Sequence, residues 1–222
     1  RVLGMHQKDG CFGEYMTIDT KLLHVVPDGL ATKEAIYTEP LAAAFEIMTQ
    51  VTLTPEKNVA ILGDGRLSYC VAQAMNAVGK EVVVIGKHPE KLKLFEPFAQ
   101  AGTKWEKEGY EIVVEATGSP SGIRQALEMV RKKGTIVLKS TYAGETTLPM
   151  SLIAVNEISI VGSRCGPFAP ALEALASGKA VFPDITLFEL AQYKEAFAYE
   201  GFKAGFLITK PLTRQNERKD DK

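Results

Sequence analysis

Short apolar runs recur along the middle of the chain, and the residues between them place their apolar positions at helical spacing. Apolar runs of about four to eight residues bounded by glycine or polar residues are typical of buried strands. Because a helical segment connects each predicted strand to the next, the strands must be parallel, with helices on both faces. This is a doubly wound α/β fold. The predicted strands are 59–62, 82–85, 111–116, 135–140 and 157–162.

The helices are predicted from the same pattern and from the residues that end them. Between the first two strands, apolar residues from Leu67 to Val78 recur on one helical face, and Gly79 ends that helix. The helix between the third and fourth strands is predicted to extend to Lys133, with Gly134 as its cap. The other predicted helices are 32–50, which Pro40 breaks or begins, and 91–100, which Pro97 interrupts.

The two ends of the chain depart from this alternation. Near the start, the β-rich runs 12–18 and 22–26, followed by the turn Pro27-Asp28-Gly29, predict a small β unit. The last residues, 214–222, hold no apolar side chain, which predicts a disordered tail. After residue 166 the pattern predicts a helix at 170–177, a strand at 185–188, a helix at 193–200 and a strand at 206–209.

Composition excludes several kinds of partner. The 222 residues carry a net charge of −1, and no apolar run approaches the ~20 residues that a bilayer requires. We therefore expect neither a nucleic-acid nor a membrane partner, and a cytoplasmic location. The three cysteines, Cys11, Cys70 and Cys165, are too scattered for a disulfide framework or a four-cysteine zinc site. His6 and His24 have no partner at metal-ligand spacing.

The strand at 59–62 runs directly into the sequence Gly-Asp-Gly-Arg-Leu-Ser at 63–68, and a helix follows. A pyrophosphate approaches the backbone only where side chains are absent, and N–H groups at the start of a helix then hold its charge. Ser68 occupies the position of the third glycine of this fingerprint and is small enough for the helix to pack on the strand. A purely structural turn is the alternative. The predicted dinucleotide contacts are Gly63, Asp64, Gly65, Arg66 and Leu67.

The end of the second strand bears on which dinucleotide binds. An acidic residue there would accept from a ribose 2′-hydroxyl, whereas a cation would pair with a 2′-phosphate. The chain has Gly86, Lys87 and His88 at this place, and no carboxylate follows until Glu90. This favours NADP(H) over NAD(H), the alternative being that Lys87 and His88 are solvated loop residues.

Five segments stand in the order in which one enzyme family has them: Asp9 to Tyr15 with Val26 to Asp28, Thr38 to Ala42, Leu62 to Leu67, Glu115 to Gly118, and Gly162 to Phe168. Through these segments the chain resembles the medium-chain dehydrogenase/reductase superfamily, the zinc-dependent alcohol and polyol dehydrogenases, over nearly all of residues 1–211.

The resemblance implies a two-domain enzyme in which a Rossmann domain interrupts a GroES-like β catalytic domain. The family's first zinc ligands would lie upstream of Arg1, so on the order of a hundred residues of the catalytic domain are expected to be absent. The implied divisions are 1–40 as a remnant of the GroES-like domain, 41–165 as the Rossmann domain, 166–211 as the return to the catalytic domain, and 212–222 as the tail.

The resemblance also implies roles for residues outside the glycine turn. It places Glu39 in or beside the shell of the catalytic zinc, although zinc needs three protein ligands and Glu39 alone cannot hold it. The alternative is a carboxylate that favours the dipole of its helix. It places Cys165 in a loop near the nicotinamide.

Residues after two strands would line the nicotinamide-ribose side of the cofactor. Ligands bind at the carboxyl ends of strands in open α/β sheets, although a helix cap or a simple turn would use the same residue types. The residues in question are Thr117, Gly118 and Ser119 after one strand, and Lys139, Ser140 and Thr141 after the next.

The implied activity is hydride transfer between an alcohol or carbonyl and NADP(H), with zinc lowering the pKa of the alcohol in the complete enzyme. We expect the chain as given to hold no zinc and to be inactive. A non-enzymatic dinucleotide-binding or interaction module is the alternative, and the segment 39–41 disfavours a zinc-free quinone reductase. A homodimer is expected through the edge strand at 158–161, unless the C-terminal segment covers that edge.

Overall fold

The computed structural model describes residues 3–4 and 7–208. The chain divides into two compact units, one formed by His24–Phe182 and the other by Arg1–Leu23 together with Pro183–Lys222. His6, Thr209 and the tail predicted at 212–222 lie outside the described residues. The domain bounds at 40, 165 and 211 stay predictions.

A six-stranded parallel sheet forms the centre of the 24–182 unit, as the alternation of strands and helices predicted. Its strands are β1 (Val59–Leu62), β2 (Val83–Ile85), β3 (Gln100–Gly102), β4 (Tyr110–Glu115), β5 (Val130–Leu138) and β6 (Ser159–Gly162). The spatial order is β3-β2-β1-β4-β5-β6, and every neighbouring pair is parallel. All four residues of β1 are buried, as expected of a central strand that is covered on both faces.

Seven helices belong to this unit in the described residues. They are α1 (Thr32–Ala35), α2 (Thr38–Gln50), α3 (Arg66–Ala77), α4 (Pro89–Leu92), α5 (Gly122–Met129), α6 (Met150–Val155) and α7 (Phe168–Ala176). The predicted helix 32–50 is two helices, α1 and α2, and Pro40 breaks neither, because it is the third residue of α2, where the backbone N–H has no partner within the helix. Gly79 ends α3 in the left-handed conformation, with φ 73°. None of the described helices combines the length and apolarity that a membrane crossing requires.

The prediction of a helix at 91–100 is wrong. The helix α4 ends at Leu92, turns follow, and the edge strand β3 begins at Gln100. Pro97 and the burial of Phe95 within these turns account for the short helix. The strand β3 lacks an apolar run because it pairs on one side only, with β2.

The prediction that the next helix extends to Lys133 is also wrong. The helix α5 ends at Met129, and β5 begins at Val130. The register with β4 shifts between Tyr110↔Val130 and Ile112↔Thr135, so the intervening residues form an irregular bulge. Gly134 is not a helix cap; an added Cβ there would lie 2.6 Å from Val130 Cγ2, so close packing in the bulge requires glycine.

The other unit contains two parallel strands, β7 (Thr186–Glu189) and β8 (Ala204–Leu207), and the short helix α8 (Tyr193–Phe197). The β unit predicted at 12–18 and 22–26 is wrong, because the described residues there hold a 3-10 helix at Thr20–Leu22 and no strand. Alternation supplies the side chains of a strand but not its hydrogen-bonding partner. The ring of Phe12 instead packs at 5.8 Å from Phe197 and 5.2 Å from Phe206.

Candidate functional site

The predicted cofactor residues of the 24–182 unit lie at one edge of its sheet. Residues 63–67 follow β1, 86–88 follow β2, 117–119 follow β4, and Ser140 follows β5. Because these strands are parallel, their carboxyl ends share this edge. The chain winds from β1 outward to β2 in one direction, and then places β4 on the other side of β1. Such a reversal leaves a crevice, which is where open α/β sheets bind ligands.

The two glycines of the glycine turn, Gly63 and Gly65, differ in their surroundings. Gly63 has φ 129°, and an added Cβ would lie 2.6 Å from the carbonyl oxygen of Ala116. Gly65 is the N-terminal cap of α3, and nothing lies within 4 Å of the place its Cβ would occupy. Open space in front of a twelve-residue helix whose cap residue makes no side-chain hydrogen bond is the geometry in which backbone N–H groups hold an anion. Arg66 is exposed and Leu67 is half-buried in its first turn.

The Asp64 side chain reaches from the glycine turn to the loop after β2. Its Oδ2 accepts hydrogen bonds from Lys87 N at 2.6 Å and from His88 N at 2.8 Å, and His88 Nδ1 lies 3.0 Å away. Gly86 makes room for it, since an added Cβ would lie 2.6 Å from Asp64 Cβ. Along the chain no carboxylate follows Lys87 and His88 until Glu90, but the fold brings Asp64 to their backbone. The carboxylate comes from the neighbouring turn.

The contacts of Asp64 also set its charge. Burial raises the pKa of this carboxyl, but hydrogen bonds from the His88 backbone, the His88 ring and the Lys87 backbone outweigh burial and lower the pKa below 3.8. Its side chain is only 11% exposed, whereas that of His88 is 50% exposed. Asp64 is therefore an anion at neutral pH and is directed at its own chain.

A second carboxylate organises the turn after β4. Glu115 is fully buried, and its Oε1 accepts from Thr117 N at 2.9 Å and from Thr117 Oγ1 at 2.6 Å. Ser140 Oγ accepts from Gly118 N at 2.7 Å and so joins this turn to the end of β5. Sequence reasoning missed Glu115; the signal was a carboxylate that directly follows the apolar run 112–114 at the carboxyl end of β4. Among the described residues, nothing donates a hydrogen bond to the buried Glu115 Oε2.

The sequence predicts that Lys139 lines the nicotinamide-ribose side of the cofactor, but the structure places it elsewhere. Its side chain is buried, and its ammonium donates to Ala43 O in α2, to Ser163 Oγ at 3.1 Å and to Arg164 O at 3.2 Å. Burial lowers the pKa of Lys139, and the acidic groups of Glu46, Cys165 and Glu39 oppose that shift. Lys139 therefore ties α2 to the loop after β6.

The proposed metal residue Glu39 is exposed in the first turn of α2, a position that also favours the helix dipole. Cys165 is exposed, and the His24 ring stacks on Phe168 at 4.9 Å. In residues 3–4 and 7–208, no three His, Cys, Asp or Glu side chains come together as a metal would require. The described donor set does not fit a catalytic zinc.

Comparisons with known proteins agree with this fold. The family model for zinc-binding dehydrogenases matches residues 67–177. A sorbitol dehydrogenase of Halalkalibacterium halodurans is 25% identical over 229 residues, which cover 94% of this chain and 66% of that protein. The chain thus spans just under two thirds of the length of this relative.

Two solved structures have the same fold. A Sinorhizobium meliloti protein solved with NADP superposes with a TM-score of 0.80 at 20% identity, over 93% of this chain and 67% of that one. An alcohol dehydrogenase of Escherichia coli, complexed with NADH, superposes with a TM-score of 0.80 at 21% identity, with the same coverage of 93% and 67%.

Proposed function

Because the chain belongs to the zinc-binding dehydrogenase family, within the medium-chain dehydrogenase/reductase superfamily, we propose that it binds a nicotinamide dinucleotide at the carboxyl edge of its sheet. We further propose that the whole protein is an oxidoreductase that transfers hydride between an alcohol or carbonyl and this cofactor. The observation that carries the proposal is the open glycine turn at Gly65, at the start of α3 and beside the reversal of strand order.

The proposed contacts follow the edge of the sheet. Backbone N–H groups after Gly63, whose own N–H donates to Ile85 O at 2.8 Å, hold the pyrophosphate, and the loop 86–88 faces the adenosine ribose. The turn 117–119 and Ser140 face the nicotinamide ribose, because they follow the strands on the other side of β1. The substrate class is supported by the names of relatives, which include sorbitol dehydrogenase and D-xylulose reductase.

We propose that the cofactor is NADP(H) in preference to NAD(H). Lys87 is exposed at the end of β2, and the hydrogen-bonding capacity of the Asp64 carboxylate is directed at Lys87 N, His88 N and the His88 ring. A ribose 2′-hydroxyl would have to compete with these donors, whereas a 2′-phosphate would gain a cation.

The Lys87→Ala variant is expected to lose NADPH affinity and to keep its NADH affinity. A hydrogen bond to a charged group contributes about 1.5–3 kcal/mol, which corresponds to a loss of about tenfold or more in affinity. Titration of both cofactors, followed by their fluorescence, measures this. The matched control is Lys107→Ala, an exposed lysine before the amino end of β4, on the opposite edge of the sheet. Equal wild-type affinities for NADPH and NADH would contradict the preference.

A non-enzymatic dinucleotide-binding module is the second candidate, because the described residues do not assemble three metal ligands. The two candidates differ in one measurement. Reduction of NADP⁺ or NAD⁺ that depends on an added polyol, such as sorbitol, supports the oxidoreductase. Because the given chain is expected to be inactive under both candidates, dinucleotide binding without polyol-dependent reduction supports the module only when it is observed with the whole protein.

We also propose a homodimer through β6, which is the last strand of the sheet. Ser163 N donates to Leu138 O in β5, so the N–H of Ile160, an odd number of residues earlier, points away from β5. That N–H faces the outer side of β6, where a second copy could pair with it, and Ile160 and Val161 are half-buried; on the same side, Gln50 Nε2 donates to Gly162 O at 3.1 Å.

The Ile160→Pro variant is expected to sediment as a monomer and to lose less melting temperature than Val161→Pro, although the Ile160 side chain also packs against the core. The substitution removes an outward donor and leaves the β5 ladder intact. The contrasting control is Val161→Pro, which removes a donor directed at β5 and should destabilise the fold itself. Analytical ultracentrifugation at tens of micromolar protein measures the species, and a monomeric wild type would show that the edge does not pair.

A further inference from the structure

The loop 86–88, which is proposed to face the adenosine ribose, is held in place by a side chain from the glycine turn. Three donors of this loop, Lys87 N, His88 N and His88 Nδ1, all lie within 3.0 Å of a single oxygen, Asp64 Oδ2. Asp64 belongs to the glycine turn, so one side chain connects the segment proposed to hold the pyrophosphate with the segment proposed to hold the ribose.

The absence of a side chain at residue 86 makes this connection possible. An added Cβ on Gly86 would lie 2.6 Å from Asp64 Cβ, 2.6 Å from Oδ2 and 2.9 Å from Cγ. The carboxylate occupies the volume that a side chain on residue 86 would fill. Gly86 has no positive φ that would require glycine, so the space for Asp64 is the reason for glycine here.

The carboxylate is better placed to hold the loop than to bind a ligand. Its side chain is 11% exposed, and its acceptor positions face donors of its own chain, so little of it is open to a ribose hydroxyl. The neighbouring side chain of His88 is 50% exposed, and Lys87 is exposed as well. The carboxylate is thus largely covered, whereas the two basic residues are exposed.

We propose that Asp64 is a positioning residue that, together with Gly86, fixes Lys87 and His88 for recognition of a 2′-phosphate. This inference rests on the proposed dinucleotide function and adds to it the residue pair that determines cofactor preference. Asp64 acts through the two basic residues and not by direct contact with the ribose, and its role depends on residue 86 remaining glycine.

The test is a double-mutant cycle in the full chain, with Asp64→Ala, Gly86→Ala and the double variant titrated with NADPH and with NADH. We expect each single substitution to lower NADPH affinity by about tenfold and to change NADH affinity much less, because only NADPH carries the 2′-phosphate. In the double variant, Gly86→Ala should add little, since no carboxylate remains to be displaced. The conservative Asp64→Asn, which keeps one acceptor oxygen, should give a smaller loss than Asp64→Ala.

Three outcomes overturn the inference. Additive losses in the double variant would show that the two residues act independently. Tighter NADPH binding by Asp64→Ala would show that the carboxylate repels the phosphate. Equal losses for NADPH and NADH would show a general effect on the site. Thermal unfolding identifies any variant with a folding defect, and if Gly86→Ala is one, the ratio of affinities in Asp64→Ala decides. Failure of the wild type to bind either dinucleotide overturns the proposed function, and the inference with it.

Discussion

Replacing Gly63 with alanine is expected to destabilise the protein by about 3 kcal/mol or more, while the same replacement at Gly65 leaves its stability nearly unchanged. The Cβ at residue 63 would meet the backbone oxygen of Ala116 at 2.6 Å and its carbon at 2.9 Å, and neither atom can move without shifting β4. The backbone there also has φ 129°, which alanine adopts only under strain. At residue 65 the added methyl group meets nothing within 4 Å.

The variant at residue 65, which is expected to keep its stability, is expected to lose cofactor binding. A methyl group on Gly65 would occupy the open space before α3 where the pyrophosphate is proposed to lie, so we expect Gly65→Ala to fold and to bind neither dinucleotide measurably. Urea unfolding gives the stabilities and cofactor titration gives the affinities. Wild-type affinity in Gly65→Ala would remove the glycine turn from the proposed site, and a stable Gly63→Ala would show that the contact with Ala116 relaxes.

The Lys139→Met variant is expected to lose about 3 kcal/mol of unfolding free energy, because it leaves buried oxygens in α2 and in the loop after β6 without their donor. Methionine keeps the length and the apolar stem, so the change isolates the ammonium group. The control is Lys132→Met near the start of β5, where the side chain is exposed and a change within about 0.5 kcal/mol is expected. Denaturant unfolding near neutral pH measures both, and equal small effects would show that Lys139 ties nothing together.

The pH dependence of Lys139 has a definite sign. Its pKa in the folded protein lies below the ordinary value of 10.5, so between these two values the unfolded chain binds more protons than the folded one. Unfolding free energy from this group therefore rises with pH in that window, as the buried ammonium loses its charge. Relative to Lys139→Met, the wild type should gain stability as the pH rises toward 10.5. A constant difference across that range would show that burial does not shift this lysine.

The sheet could be predicted because a strand that is buried on both faces consists of apolar residues. The strand β1 is buried on both faces, and its four residues are apolar without exception. A strand that is only partly buried lacks such an apolar run, and its sequence does not identify it. The edge strand β3 contains Gln100 and Gly102, and only its hydrogen bonds to β2 identify it. The sequence predicts a helix over the first residues of β5, because residues 131–133 are exposed and form the bulge, where they lack the apolar pattern of a strand.

The candidate site could be located from the sequence, but its internal contacts could not. The spacing of its glycines identifies the glycine turn, whereas the contact of Asp64 with the loop after β2 joins residues more than twenty positions apart. That contact depends on the tilt of one turn toward another, which no local pattern encodes. The buried amine of Lys139 was likewise hidden, because lysine in a strand end reads as exposed.

Ser68 has a consequence for how such sites are sought in genomes. It stands where the third glycine of the nucleotide fingerprint is usual, it is fully buried, and its Oγ lies 3.4 Å from Ala116 O. The position restricts volume and not backbone conformation, since it lies within the regular turns of α3. A pattern search that demands glycine there would pass over this chain, whereas one that accepts alanine or serine would find it together with other proteins whose helix and strand approach as closely.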